Sequence, residues 1–253
     1  VFTVEPQPTQ VDLSFRLADV PVRVSIWFWA AAALLGWSVC QALAGQDQRQ
    51  LLAYLIVWMG VVFVSILIHE MGHALAYRRY GLESRVVLVH FGGITVPLAW
   101  GQRVRRPLER IVISAAGPVA QLAVTVAIVA VLKTGGYRVL FPIESIGEPL
   151  GLYEGKPLPA KMLEVAVFFL LQVNVFWPLL NLLPVPPLDG GQIMREGLLM
   201  AGVGDASRTA AIIGTVTGGL VAWWAFNNGQ EYMAILFVVL AVSCYQSLRG
   251  PWR

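Results

Sequence analysis

The residues best suited to chemistry are His69, Glu70 and His73, in the run His69-Glu70-Met71-Gly72-His73. Residues four apart on a helix lie on one face. Two imidazoles so placed can grip one metal ion, and the Glu between them can take a proton from an attacking water. The run follows directly on residues 51–68, which contain no charged side chain. Ionisable residues beside so apolar a stretch are costly and read as functional. The bland alternative, a polar helix end emerging into water, does not account for the spacing.

Two His are too few for a catalytic zinc, which usually has three protein ligands and one open position. Candidates for the third are Asp189, Glu196 and Asp205, with the remaining histidine, His90, as an outsider. Asp189 closes the run Asn181-Leu-Leu-Pro-Val-Pro-Pro-Leu-Asp189-Gly-Gly191. The prolines there stop regular helix and the two Gly permit a close turn, which can aim the carboxylate back into a bundle. The alternative for Asp189 is a helix N-cap for the segment 192–201. Glu196 and Asp205 are expected to face water. Asn181 reads equally as interhelical hydrogen-bond glue or as a donor and acceptor for a substrate backbone or a developing oxyanion.

The elements that must position these residues are membrane helices. The 253 residues are 57% hydrophobic and only 13% charged, about half the charge of an ordinary soluble domain. That argues against a soluble globular fold and excludes disorder. The sequence predicts a single polytopic domain over 1–253, all-α, with about six spans at 24–44, 51–80, 111–132, 165–183, 210–226 and 232–248. Residues 227–229, Asn-Asn-Gly, predict a tight hairpin between the last two spans. Residues 85–97 are rich in β-branched side chains around Gly92-Gly93 and predict a short β-hairpin. Its edges cannot face lipid unsatisfied, so it must lie in the interface or in a protein-lined cavity. Residues 135–161 read as an extramembrane loop. Cys40 and Cys244 lie inside apolar runs and predict packing rather than a disulfide. No cleavable signal peptide is visible.

Charge placement predicts orientation. With six spans, Arg49, Lys133, Arg138, Lys156 and Lys161 fall on one side, and the other thirteen of the 18 Lys and Arg fall on the opposite side. Both termini and the active-site opening are therefore expected to be cytoplasmic. A net charge of +3 is too small and dispersed for nucleic acid, and the cluster around Arg103–Arg106 needs only anionic lipid. The bilayer is the expected partner. Nothing in the sequence sets the oligomeric state.

Together these residues resemble the site-2 protease family of intramembrane zinc metalloproteases, peptidase family M50. The resemblance rests on His-Glu-x-x-His in the second span and Asn-x-x-Pro-x-Pro-x-Leu-Asp-Gly after the fourth. Gly92-Gly93 after a short strand and Gly117-Pro118 in the third span add to it. It covers about 21–191. It implies one zinc ion per chain held by His69, His73 and Asp189, with Glu70 as general base. It further implies that Asn181 helps hold the substrate strand and that Phe91, Gly92, Gly93 and Ile94 lie beside it. One departure is that many relatives carry Asn where Gln121 stands here. Without a PDZ-like insert or a CBS-like segment, the chain looks like a bare catalytic core or a fragment.

The resemblance implies hydrolysis of peptide bonds in or near transmembrane segments, with regulated intramembrane proteolysis as the outcome. A substrate helix would have to unwind locally, and pairing with the hairpin would satisfy its freed amides. Two rivals are weighed. One is a membrane zinc protease of another family with Glu196 as third ligand. The other is an inactive scaffold or metal carrier, disfavoured because the first, fifth and sixth spans contain no Asp, Glu, Lys, Arg or His.

Overall fold

The computed structural model describes residues 7–90, 92–98, 104 and 106–249. The chain runs β1 (Leu13–Leu17), β2 (Val20–Val24), α1 (Ile26–Ala44), α2 (Gln48–Arg79), β3 (Ser84–Val89), β4 (Gly92–Pro97), α3 (Pro107–Thr134), α4 (Glu144–Gly147), α5 (Lys161–Asn181), α6 (Asp189–Met200), α7 (Ala206–Asn227) and α8 (Glu231–Ser247).

Among the described residues, five helices, α1, α2, α3, α5 and α7, are long and apolar enough to cross a bilayer. The sixth expected span is α8, which is apolar but has 17 residues. Large apolar side chains point outward along them, as at Ile56 (70% exposed), Val131 (70%) and Phe226 (71%). Such faces suit lipid and would be a liability in water. The chain is therefore an integral membrane protein.

Local signals set the helix ends. Asp47 caps α2, its carboxylate accepting from the backbone N–H of Arg49 at 2.9 Å and of Gln50 at 3.2 Å. These bonds, that to Gln50 first, hold its pKa below the usual carboxylate value. Asp205 caps α7 through the Arg208 N–H at 3.0 Å. Gly229, with φ +69°, makes the tight α7–α8 turn. At 32 residues, α2 is about 48 Å long and outreaches the hydrocarbon core. Helix α5 continues past Pro178. Pro178 has no N–H for the carbonyl of Asn174, and the Thr125 hydroxyl of α3 donates to that carbonyl instead, at 3.2 Å.

The expected two-stranded hairpin is half of a four-stranded sheet, in the order β1-β2-β3-β4. Strand β2 pairs parallel with β3, Val22 opposite Val86 and Val24 opposite Leu88. The sequence predicts no strand in the N-terminal segment, because its turn lacks the residues that usually mark one. Ala18 and Asp19 both have positive φ, 48° and 65°, the backbone of a two-residue hairpin that Asn-Gly normally announces. The strand itself alternates: Val20, Val22 and Val24 are buried. They pack with Val86, Leu88, Phe28 and Ile66 and so dock the sheet on α1 and α2. Gly92 and Gly93 begin β4 and do not form its turn. His90, just before them, has φ 37°; Phe91 lies outside the described residues.

Candidate metal centre and active site

His69, Glu70 and His73 lie in the last third of α2 and are 2%, 5% and 7% exposed. Asp189 is the first residue of α6 and is not its N-cap, which is Leu188. The chain folds tightly back just before it. A side chain on Gly190 would meet the carbonyl oxygen of Leu183 at 2.6 Å, so only Gly fits and the Asp189 carboxylate turns toward α2. The Asp189 Oδ2 atom lies 3.1 Å from His69 Nε2 and 3.4 Å from His73 Nε2. The two Nε2 atoms are 3.1 Å apart.

Neighbours fix the ring tautomers. His73 Nδ1 donates to the Ile113 carbonyl at 2.7 Å, which can only accept. His69 Nδ1 donates to Gln121 Oε1 at 2.9 Å. The Gln121 amide nitrogen donates to the Ser65 carbonyl at 3.1 Å, so its oxygen must face His69. With both protons on Nδ1, both Nε2 atoms present lone pairs to one another and to a carboxylate. Such a convergence is repulsive without a cation. Donors bound tetrahedrally at about 2.0–2.1 Å stand about 3.3 Å apart, which the three distances match. Among the described residues these three are the one group of His, Cys, Asp and Glu side chains so arranged. The donor set of two imidazoles and one carboxylate suits zinc.

Glu70 is held beside this group. Its Oε2 accepts from the Thr95 hydroxyl at 2.7 Å. Gly93 supplies the space: a Cβ there would lie 2.6 Å from the Glu70 carboxyl carbon and from Oε1. Gly117 does the same for the rings, since a Cβ there would lie 2.7 Å from His73 Cε1 and 2.9 Å from His69 Cδ2. His69, Glu70, His73, Thr95 and Asp189 open into one cavity of about 1070 Å³, which Gly92, Ile94 and Asn181 also line. The Asn181 amide donates to the Trp177 carbonyl at 3.0 Å.

Other expectations changed. Glu196 was expected to face water, yet it is fully buried. Its carboxylate lies 2.6 Å from Arg195 and 2.9 Å from Arg110 of α3. Held by two arginines, it is not the third ligand. Asp205 is exposed, as expected, and caps α7; His90 is also exposed. Gln121, the departure from the family pattern, makes the polar contact at its position. Three residues were missed. Thr95 is an ordinary strand residue by type. Ser65 and Asn174 are polar residues within spans, which is a usable signal. Asn174 donates to the Ser65 hydroxyl at 2.9 Å, one helical turn before His69.

The fold and the site define a polytopic membrane protein with a buried two-histidine, one-carboxylate centre and an acid beside it. Comparison with known proteins agrees. The description "Peptidase family M50" matches residues 57–223. The chain is 30% identical to the zinc metalloprotease Rip3 of Mycobacterium tuberculosis over 93% of this chain and 60% of that protein. It is 25% identical to the zinc metalloprotease MJ0392 of Methanocaldococcus jannaschii over 72% of this chain and 43% of that one. The solved site-2 protease from Methanocaldococcus jannaschii superposes with a TM-score of 0.53 at 19% identity, covering 96% of this chain and 97% of that chain; this likeness shows a shared fold. The chain belongs to peptidase family M50. It spans about 60% of the length of Rip3.

Proposed function

We propose that the chain is a zinc-dependent endopeptidase that cleaves membrane-protein substrates in or near their transmembrane segments. The observation that carries this is the convergence of three lone-pair donors with Glu70 beside them in a cavity large enough for water and a peptide. His69, His73 and Asp189 hold the ion, one per chain. Bound there, zinc would polarise the scissile carbonyl and acidify water to a pKa of about 7. Glu70 takes the proton of the attacking water and passes it to the leaving amine. Thr95 orients that carboxylate.

Strand β4 ends the sheet order, so its outer edge is free of strand partners among the described residues. A locally unwound substrate would pair there, beside Gly92, Gly93 and Ile94, with Asn181 on the facing wall. Regulated release of a substrate fragment is the proposed outcome. We place both termini and the cavity mouth on the cytoplasmic side. The Lys and Arg distribution supports this, as does the sheet, which joins the N-terminal segment to the strands that follow α2.

The test is Glu70→Gln in the full chain. Cleavage of a transmembrane peptide should be lost while bound zinc stays at one per chain. Undiminished cleavage would refute the role of Glu70.

A further inference from the structure

A second, smaller cavity of about 190 Å³ adjoins the first. Its walls come from Phe28 and Ala32 of α1, Trp58 and Val62 of α2, and Val173 and Trp177 of α5. Among the described residues, Gln172 and His90 are its only lining side chains that are neither hydrocarbon nor indole. The Trp58 indole N–H already donates to the Ala32 carbonyl at 2.9 Å, and its ring packs edge-on against Phe169, so that wall is rigid. A water inside would find few partners. The cavity is too small for an ordinary ligand, which needs about 300 Å³ or more, but its size suits one large side chain.

Its position says what fills it. The two cavities share His90, Gly92, Trp177 and Leu180. Along β4, Gly93 and Thr95 face Glu70. Alternation along a strand then turns Gly92 to the opposite face, where its missing side chain would meet the Trp177 ring at 3.1 Å. A substrate strand on the β4 edge alternates in the same way. The substrate residue beside the Gly92 end of β4 stands next to the small cavity, which Gly92 and Trp177 both line, within a residue or two of the bond beside Glu70.

We propose that this cavity is a specificity pocket for one large apolar side chain, of the Leu, Met or Phe class, adjoining the scissile bond. The inference rests on the protease reading above. It makes Gly92, Trp177 and Val62 determinants of which membrane sequence is cut.

The test uses the zinc-loaded full chain in lipid nanodiscs, with transmembrane peptides differing at one position near the mapped cleavage bond. Leu or Phe at one such position should exceed Ala by about tenfold or more in kcat/KM, the usual worth of a well-filled apolar pocket. Val62→Phe, which fills the pocket, should bring that ratio close to one; Val62→Ala should preserve it. Zinc content reports that each variant is folded. Equal rates for Leu and Ala at every position, or an unchanged ratio in zinc-replete Val62→Phe, would overturn the pocket. A photoreactive Leu in the peptide should also crosslink to Val62 or Trp177 in the Glu70→Gln protein, a readout independent of turnover. Crosslinking there from a photoreactive acyl chain but not from the peptide would make it a lipid site and overturn the proposal. Absence of any hydrolysis by the zinc-loaded wild type would instead sink the protease reading, with the crosslink still reporting on the pocket.

Discussion

Replacing Gly93 by Ala should disable the site without loosening the protein. The added methyl would lie 2.6 Å from the Glu70 carboxyl carbon and from Oε1. Comfortable carbon contacts need about 3.5 Å, so the carboxylate must withdraw by about 1 Å. It is the end of a flexible side chain and can move cheaply. The backbone accepts Ala as well, because Gly93 is not among the glycines with positive φ, and Ala in a strand interior is favoured over Gly by about 0.5–1 kcal/mol. Stability therefore holds while Glu70 leaves its place and strains its 2.7 Å bond to Thr95. A misplacement of about 1 Å costs about 100-fold in rate, or about 2.7 kcal/mol of barrier.

The assay is kcat for a transmembrane peptide, with zinc content and thermal unfolding measured on the same preparation. Gly93→Ala should keep its zinc and its melting temperature and lose about two decades of kcat. Wild-type kcat at full zinc content would refute the reasoning, because Glu70 would then have no need of the position it holds.

Two further outcomes follow from the same geometry. Gln121→Leu removes the acceptor that fixes the His69 tautomer, and zinc affinity measured by chelator competition should fall about 10- to 100-fold. Arg110→Ala strips one of two guanidinium partners from the fully buried Glu196. Losing a partner from a buried pair costs about 3–5 kcal/mol, discounted here to about 2 kcal/mol because Arg195 remains and Arg110 is 36% exposed. Equilibrium unfolding in mixed micelles should show that loss, with recovery in Arg110→Met combined with Glu196→Leu.

The site was legible where a pattern has one physical meaning. His69 and His73 sit four apart on a helix, and a helix leaves them one face to share. Asp189 needed a longer inference, from prolines that stop a helix and glycines that let the chain fold back. Gln121 and Thr95 were not readable as parts of the site. Their roles depend on which side chain from another element stands opposite, and a sequence does not show that. Glu196 failed for the same reason. A lone carboxylate on a short helix reads as solvent-facing until Arg110 arrives from α3. The four-stranded sheet was half seen, because Ala18-Asp19 makes a hairpin turn without the residues that usually mark one. Gly92-Gly93 was read for its freedom to turn, while its use is space, for Glu70 at Gly93 and beside Trp177 at Gly92.

The central claim is that His69, His73 and Asp189 hold one zinc ion through both Nε2 atoms and a carboxylate oxygen. X-ray absorption spectroscopy on the zinc-loaded chain, with metal counting, tests it most directly. One zinc per chain, with two imidazoles and oxygen ligands at about 2.0–2.2 Å, is the predicted result, and His73→Ala should leave scattering from one imidazole at most. A stoichiometric zinc without imidazole scattering, or no zinc bound at all, would contradict it.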